Sequence, residues 1–334
     1  MKNSRMIPLA LCFFGIAACH SHSEEGGDTI LYKPPYAVWT DSIRQFPDRS
    51  VYYYERGRLF SQNGDSAHAV KDLEKALSMS NQPDYDIVLS SFWLQHGEPD
   101  SARALLNPAV QHYPYNQLLQ RNLLMSYFDN GAYPEALKVN ATALQYDSTS
   151  SGNWYNRAMV LDALKDSSHA LKSLERAFAL DPQNATIAYE LANRYADVGD
   201  SSALSLCDQI IQQETLSQKK PDPYTIKGIY YANIGKAALA MACFDQSIAV
   251  DYTFLEAYLE KGILLFKQKK YADALKVFNL STTIDDTFAD GYYWAARCQQ
   301  QLKQLPEARL NYERAIAFDK HFTEAREALA KLGK

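Results

Sequence analysis

The sequence is poor in residues that break regular structure. Glycine (14) and proline (13) are both scarce for 334 residues, which excludes a collagen-like or low-complexity chain. No apolar run reaches eighteen residues, so no transmembrane helix is expected. A surplus of basic charge is also missing. The net charge of −5 comes without clustered Lys and Arg, and nucleic-acid binding is excluded on that ground. The densest basic run, Lys267, Lys269 and Lys270, falls in an expected turn. Catalytic signatures are absent as well: there is no HExxH, GxSxG, P-loop or paired CxxC. The seven histidines are scattered, with no Ser, Cys or acid at an interpretable spacing. No catalytic residue, metal set or cofactor site follows, and a non-enzyme is expected.

What is present is apolar and aromatic material in quantity. Hydrophobic residues make up 47% of the chain, and 23 tyrosines suit surfaces that are half apolar and half wet.

Cysteines occur at 12, 19, 207, 243 and 298. Cys12 and Cys19 belong to the N-terminal segment, which leaves an odd number in the body and argues against a disulfide framework. Cys207 and Cys243 hold the same place in neighbouring repeats, more than one helix spacing of about 8–10 Å apart, whereas a disulfide needs Cα atoms within roughly 7 Å. All three read as small buried apolar residues.

The N-terminus carries Lys2 and Arg5, then an apolar stretch from Met6 to Ala18 that is too short for a bilayer of about 30 Å. It ends in Ile16-Ala17-Ala18-Cys19, which resembles a bacterial lipobox. That resemblance implies a signal peptide over 1–18, acylation (palmitate) of Cys19 and a membrane anchor; the alternative is an ordinary signal peptide cut nearby. Cleavage would move the net charge from −5 to −7, because Lys2 and Arg5 leave with it. His20 rather than Asp follows Cys19, so the resemblance implies an outer-membrane lipoprotein, facing the periplasm or the cell surface. Residues 19–36, polar and then carrying Gly-Gly and Pro-Pro, read as a tether.

Beyond it the chain repeats itself every 34 residues or so. The first unit, from Ser50, has Gly57, Phe60, Ala69, Leu73 and Ala76. The second, from Pro83, has Ser90, Trp93, Ala102, Leu106 and Ala109. The third, from Gln117, has Tyr127, Ala136 and Ala143. The fourth, from Ser151, has Trp154, Ala158, Leu161, Ala170, Leu174 and Ala177. Further units start at Ala185, Pro221, Leu255 and Ala289, the last with Ala296, Ala308, Tyr312 and Ala315. Each contains two amphipathic stretches at helical spacing joined by a short turn. The small residues mark close helix contacts, and Pro99, Pro134 and Pro306 fall where a second helix begins and a missing N–H costs nothing.

This pattern resembles the tetratricopeptide repeat over residues 50–322. The resemblance implies an all-α fold, an α-α superhelix that is a right-handed solenoid of about eight helix-turn-helix repeats. Its units share one continuous core, because none can bury its own apolar face. A degenerate cap helix is expected at 37–49 and a closing helix at 323–334. Two departures are visible. Leu124 stands where a small residue is expected, so a wider helix spacing is expected there. Asn140 and Asp208 replace a large apolar residue at the twenty-fourth position. The polar stretch from Glu214 to Lys220 is expected to be a longer loop.

By the same resemblance, the first helix of each unit lines a binding groove through its second, fifth, ninth, twelfth and thirteenth positions. That selects Tyr54, Arg58, Arg121, Phe128, Tyr155, Asp162, Tyr189, Asn193, Asn233, Phe266, Tyr293 and Arg297. Aromatics and arginines are the types that anchor protein interfaces, although each could equally be a half-exposed packing residue. The Lys-and-Asn clamp with which some such proteins grip a chaperone C-terminus is missing. The implied partner is a protein or peptide of the cell envelope bound by a lipid-anchored scaffold. A glycan-binding surface lipoprotein is the alternative, disfavoured by the arginines and acids. Asp-Ser/Thr pairs such as Asp65-Ser66, Asp100-Ser101 and Asp147-Ser148 are similar to a bacterial O-glycosylation acceptor, and equally to plain helix N-caps.

Overall fold

The computed structural model describes residues 28–213 and 220–332. Cys19, the 1–18 segment, most of the tether and most of the expected 214–220 loop lie outside them. Among the described residues the chain is all helical, with no strand. It divides into two compact units, residues 1–113 and 114–334.

In the first unit a short 3-10 helix (Asp28–Tyr32) precedes α1 (Ala37–Gln45). Two helix pairs follow: α2 (Ser50–Gln62) with α3 (Ser66–Met79), and α4 (Pro83–Gln95) with α5 (Pro99–His112). The second unit holds six pairs and a closing helix. They are α6 (Gln117–Asp129) with α7 (Tyr133–Tyr146), α8 (Ser151–Ala163) with α9 (Ser167–Leu180), and α10 (Ala185–Asp197) with α11 (Ser202–Gln213). Then come α12 (Asp222–Asn233) with α13 (Ala237–Val250), α14 (Leu255–Lys267) with α15 (Tyr271–Ile284), α16 (Ala289–Gln301) with α17 (Leu305–Phe318), and finally α18 (Thr323–Leu332).

Small residues bring the helices of each pair together. Ala158, Ala170 and Ala177 are buried in the fourth repeat, as are Ala296, Ala308 and Ala315 in the eighth. Where glycine stands at the eighth position, the large residue at the twenty-fourth fills its missing side chain: a Cβ on Gly57 would meet Leu73 at 2.9 Å, and one on Gly262 would meet Phe278 at 2.4 Å. In the third repeat the sizes are exchanged. Leu124 and Asn140 are both fully buried and occupy those same two positions, so the large side chain has moved to the first helix and the small one to the second. Asn140 is held by donating to the Asn153 carbonyl at 2.8 Å. Asp208, by contrast, stays in solvent and pairs with Lys227.

In the first unit α1 is tied on by a buried polar chain. Arg56 donates to Thr40, whose hydroxyl donates to the Leu31 carbonyl at 2.7 Å, while Tyr36 stacks on Phe60 with ring centroids 4.0 Å apart.

Two sequence expectations need correction. Cys207 and Cys298 are buried and their thiols are pushed up to about 12 by burial, but Cys243 is only half buried. Nor are the histidines all without acids. His68 and His169 each lie 2.8–2.9 Å from the carboxylate three residues back, Asp65 and Asp166. These are capping pairs, since both aspartates also accept the histidine backbone N–H at the start of α3 and α9.

Candidate functional site

Positions 5, 9 and 12 of a helix fall within about 60° of one another at 100° per residue, so each first helix presents one narrow face. In the first unit that face carries Tyr54, stacked on Tyr85 at 4.6 Å, and Arg58, paired with Glu55 at 2.8 Å.

In the second unit the face runs through α6, α8, α10, α12, α14 and α16. Arg121 is exposed. Phe128 packs edge-on to Tyr133 at 5.2 Å. Tyr155 and Tyr189 lie against the core formed around Leu191 and Ile226, and Lys220 sits over the Tyr189 ring at 5.5 Å. Asp162 on α8 pairs with Arg194 on α10 at 2.5 Å, and Arg194 also holds Glu190 at 3.1 Å. Asn193 lines a cavity of about 370 Å³ with an apolar floor of Ile226, Ile229 and Phe254 and acids Asp222 and Glu256. Asn233 instead donates to the Ala196 carbonyl at 3.0 Å, so it pins the end of α10. Phe266, Tyr293 and Arg297 come together: the Arg297 guanidinium lies over Trp294 at 4.4 Å, Phe266 at 4.9 Å and Tyr293 at 5.7 Å.

The sequence-derived set holds one carboxylate of this face, Asp162, and leaves out a series of them at the second position. Asp222, Glu256, Asp290 and Glu324 recur every 34 residues, at the second position of the last three repeats and of the closing helix. The Glu256 carboxyl is raised by desolvation, and further by Asp290 and Asp222. Asp290 is raised by desolvation, then by Asp319 and Glu324. Glu260, at the sixth position, is pushed up to about 7 by burial and by Glu256. Asp197 is raised by desolvation against the pull of Arg194. Their 34-residue spacing could have been read from the sequence; their proximity could not. Among the described residues no His/Cys/Asp/Glu group is arranged to hold a metal ion, and no helix is long and apolar enough to cross a membrane.

Helix pairs that each offer one face of their first helix define a repeat scaffold. Two family models, both described as tetratricopeptide repeat, match residues 51–83 with 151–184 and 93–151 with 227–287, together more than half of the chain. It belongs to the tetratricopeptide-repeat family. Among solved structures it is similar to a tetratricopeptide repeat protein from Parabacteroides merdae (19% identity, TM-score 0.63, covering 75% of this chain and 99% of that one). It is also similar to the Naa15/Naa10 complex bound to HypK (14%, 0.59, 89% and 55%) and to PilW, a type IV pilus biogenesis factor (21%, 0.50, 64% and 99%). These likenesses establish the fold. No protein of curated function matches the chain. The fold is that of a protein–protein interaction scaffold.

Proposed function

We propose that this chain is a lipid-anchored scaffold of the bacterial cell envelope. It holds a basic segment of a partner protein, with apolar residues between its charges, along the first-helix face of residues 114–334. The observation that carries the partner's chemistry is the carboxylate series Asp222, Glu256, Asp290 and Glu324. Like charges set one repeat apart, on helices spaced by about 10 Å, repel each other, and the Glu256 and Asp290 carboxyls are raised first by desolvation and then by neighbouring acids. Lys and Arg side chains laid across them would relieve that repulsion. Leu259, Ile263 and Phe266, grouped in one apolar cluster, give the intervening residues a floor. A glycan ligand gains no support from so charged a face.

The anchor rests on Ile16-Ala17-Ala18-Cys19, with the outer membrane as the address that His20 favours. Incorporation of alkyne-tagged palmitate should vanish in Cys19→Ser; equal labelling of that variant would rule the anchor out. The groove is tested by placing a photo-crosslinking residue at Leu259 in the native host. Captured peptides should be rich in Lys and Arg, and capture should fall at least tenfold in Glu256→Lys/Asp290→Lys. Capture of acidic segments, or capture indifferent to the charge reversal, would overturn the reading.

A further inference from the structure

Four repeats carry a cation at the seventh position of the first helix: Arg56, Arg157, Lys227 and Lys261. That position is about 200° around the helix from the fifth, so it lies on the side away from the groove residues. Three of the four are neutralised within the chain. Arg56 takes Asp72, at position 23 of its own second helix, through two bonds of 2.6 and 2.8 Å. Lys227 takes Asp208, at position 24 of the preceding repeat, and Lys261 takes Asp245, at position 25 of the preceding repeat.

Arg157 has none of these. The three corresponding places hold Ser173, Asn140 and Ala141, and Arg157, half buried as a residue, forms no ion pair or side-chain hydrogen bond among the described residues. Its guanidinium presents a fixed fork of donors that no carboxylate of the chain takes up. It opens into a cavity of about 490 Å³ between α7, α8 and α9, walled by Leu144 and Trp154 and bordered by His169, Lys172 and Ser173. Lys172 is exposed and adds a second positive charge, whereas His169 is already tied to Asp166. The Trp154 indole N–H is used on the Ser148 carbonyl at 2.9 Å, which fixes the ring as a wall of the cavity.

We infer that Arg157 is a docking site for an Asp or Glu carboxylate of a partner protein, with an apolar neighbour of that residue packed on Trp154 and Leu144. The other three repeats supply a carboxylate to this position from within; here it arrives from outside. A carboxylate matches the Arg fork in two parallel bonds, as Asp72 does at Arg56, and the mainly apolar walls suit a peptide side chain better than a heavily hydrated phosphate. The site is independent of the groove on the far side of α8.

The test uses the full-length protein and two probes, acetyl-Leu-Asp-Leu-amide and acetyl-Leu-Asn-Leu-amide, followed by the Trp154 indole NMR signal. The Asp peptide should shift that signal with an affinity at least tenfold above that of the Asn peptide. Arg157→Gln should weaken its binding at least tenfold. Ser173→Asp, which installs the carboxylate that the first repeat has, should do the same, while Ser173→Asn keeps binding. Circular dichroism of each variant guards against misfolding. The proposal is overturned if neither peptide moves the signal, if the two bind alike, or if Ser173→Asp leaves binding unchanged. Inorganic phosphate binding more tightly than the Asp peptide would also overturn it.

Discussion

Gly228 lies so close to the Phe244 ring that a Cβ built on it would stand 2.4 Å from the nearest ring carbon. The sixth repeat therefore has no room for even one methyl at this point, and the ring is fully buried. Gly228→Ala should destabilise the protein by about 2–3 kcal/mol, as expected for overpacking a tight core. The fourth repeat shows the other way to fill the same space, with Ala158 and Leu174 both buried. Adding Phe244→Leu to Gly228→Ala should therefore recover most of the loss. Urea denaturation measures both steps, with hydrogen exchange locating the weakening in α12 and α13. A neutral single variant would refute the packing account.

Arg56 and Asp72 form the most enclosed ion pair of the first unit, with side chains 10% and 6% exposed. Asp72→Ala should cost about 3–5 kcal/mol, because it strands a buried guanidinium. Arg56→Met combined with Asp72→Leu should cost much less. The comparison is made by denaturation of the single and double variants. A double variant as weak as the single one would mean that the pair itself, rather than the stranded charge, carries the stability.

The helical-repeat architecture was legible because its signal is periodic: small residues at two fixed places per unit, aromatics between them, prolines at second-helix starts. Compensation between positions was not. Leu124 and Asn140 read as separate defects in the sequence, and only their shared burial makes them one exchange of volume. The candidate groove residues share helical positions, and their roles diverge in the structure. Asn233 bonds backbone on the neighbouring α10, and Asp162 is engaged by Arg194, whereas Arg121 is exposed. Helical position says which way a side chain leaves its helix; what it meets depends on the next repeat. The Asp147-Ser148-Thr149 segment shows the same limit, since the Asp147 carboxylate accepts both the backbone N–H and the hydroxyl of Thr149, a local turn that holds the acid below its usual range.

The acidic face should make stability depend on pH in the unusual direction. Glu260 titrates near 7 in the folded chain, above its value when unfolded, and Glu256, Asp290 and Asp197 are raised as well. A raised carboxyl binds its proton more tightly in the folded state, so its contribution is lost as pH rises through the folded value and regained as pH falls from about 8 to 5. After solvent screening, Glu260 contributes roughly 1–2 kcal/mol to that difference. Glu260→Gln should flatten the profile of unfolding free energy against pH. Binding of a basic peptide should run the opposite way, strengthening as Glu260 ionises through its folded value of about 7. A pH-independent affinity would separate the peptide from this face.

Every repeat turns between its two helices through one residue in the left-handed region, fourteen places after the repeat begins. Five of these are glycines, Gly64, Gly97, Gly131, Gly199 and Gly235, at φ between +71° and +77°; the other three are Lys165, Lys269 and Lys303, at +62° to +64°. A side chain in that region costs about 1–2 kcal/mol against the following carbonyl, and glycine avoids the cost while losing some chain entropy on folding. Each of Lys165→Gly, Lys269→Gly and Lys303→Gly should therefore stabilise the protein by about 0.5–1 kcal/mol. The three turns belong to different repeats, far apart in the chain, so the triple variant should approach the sum of the singles. Melting temperatures of the four variants decide it. Loss of stability at Lys269 or Lys303 would mean that the lysine makes a contact worth more than its backbone strain.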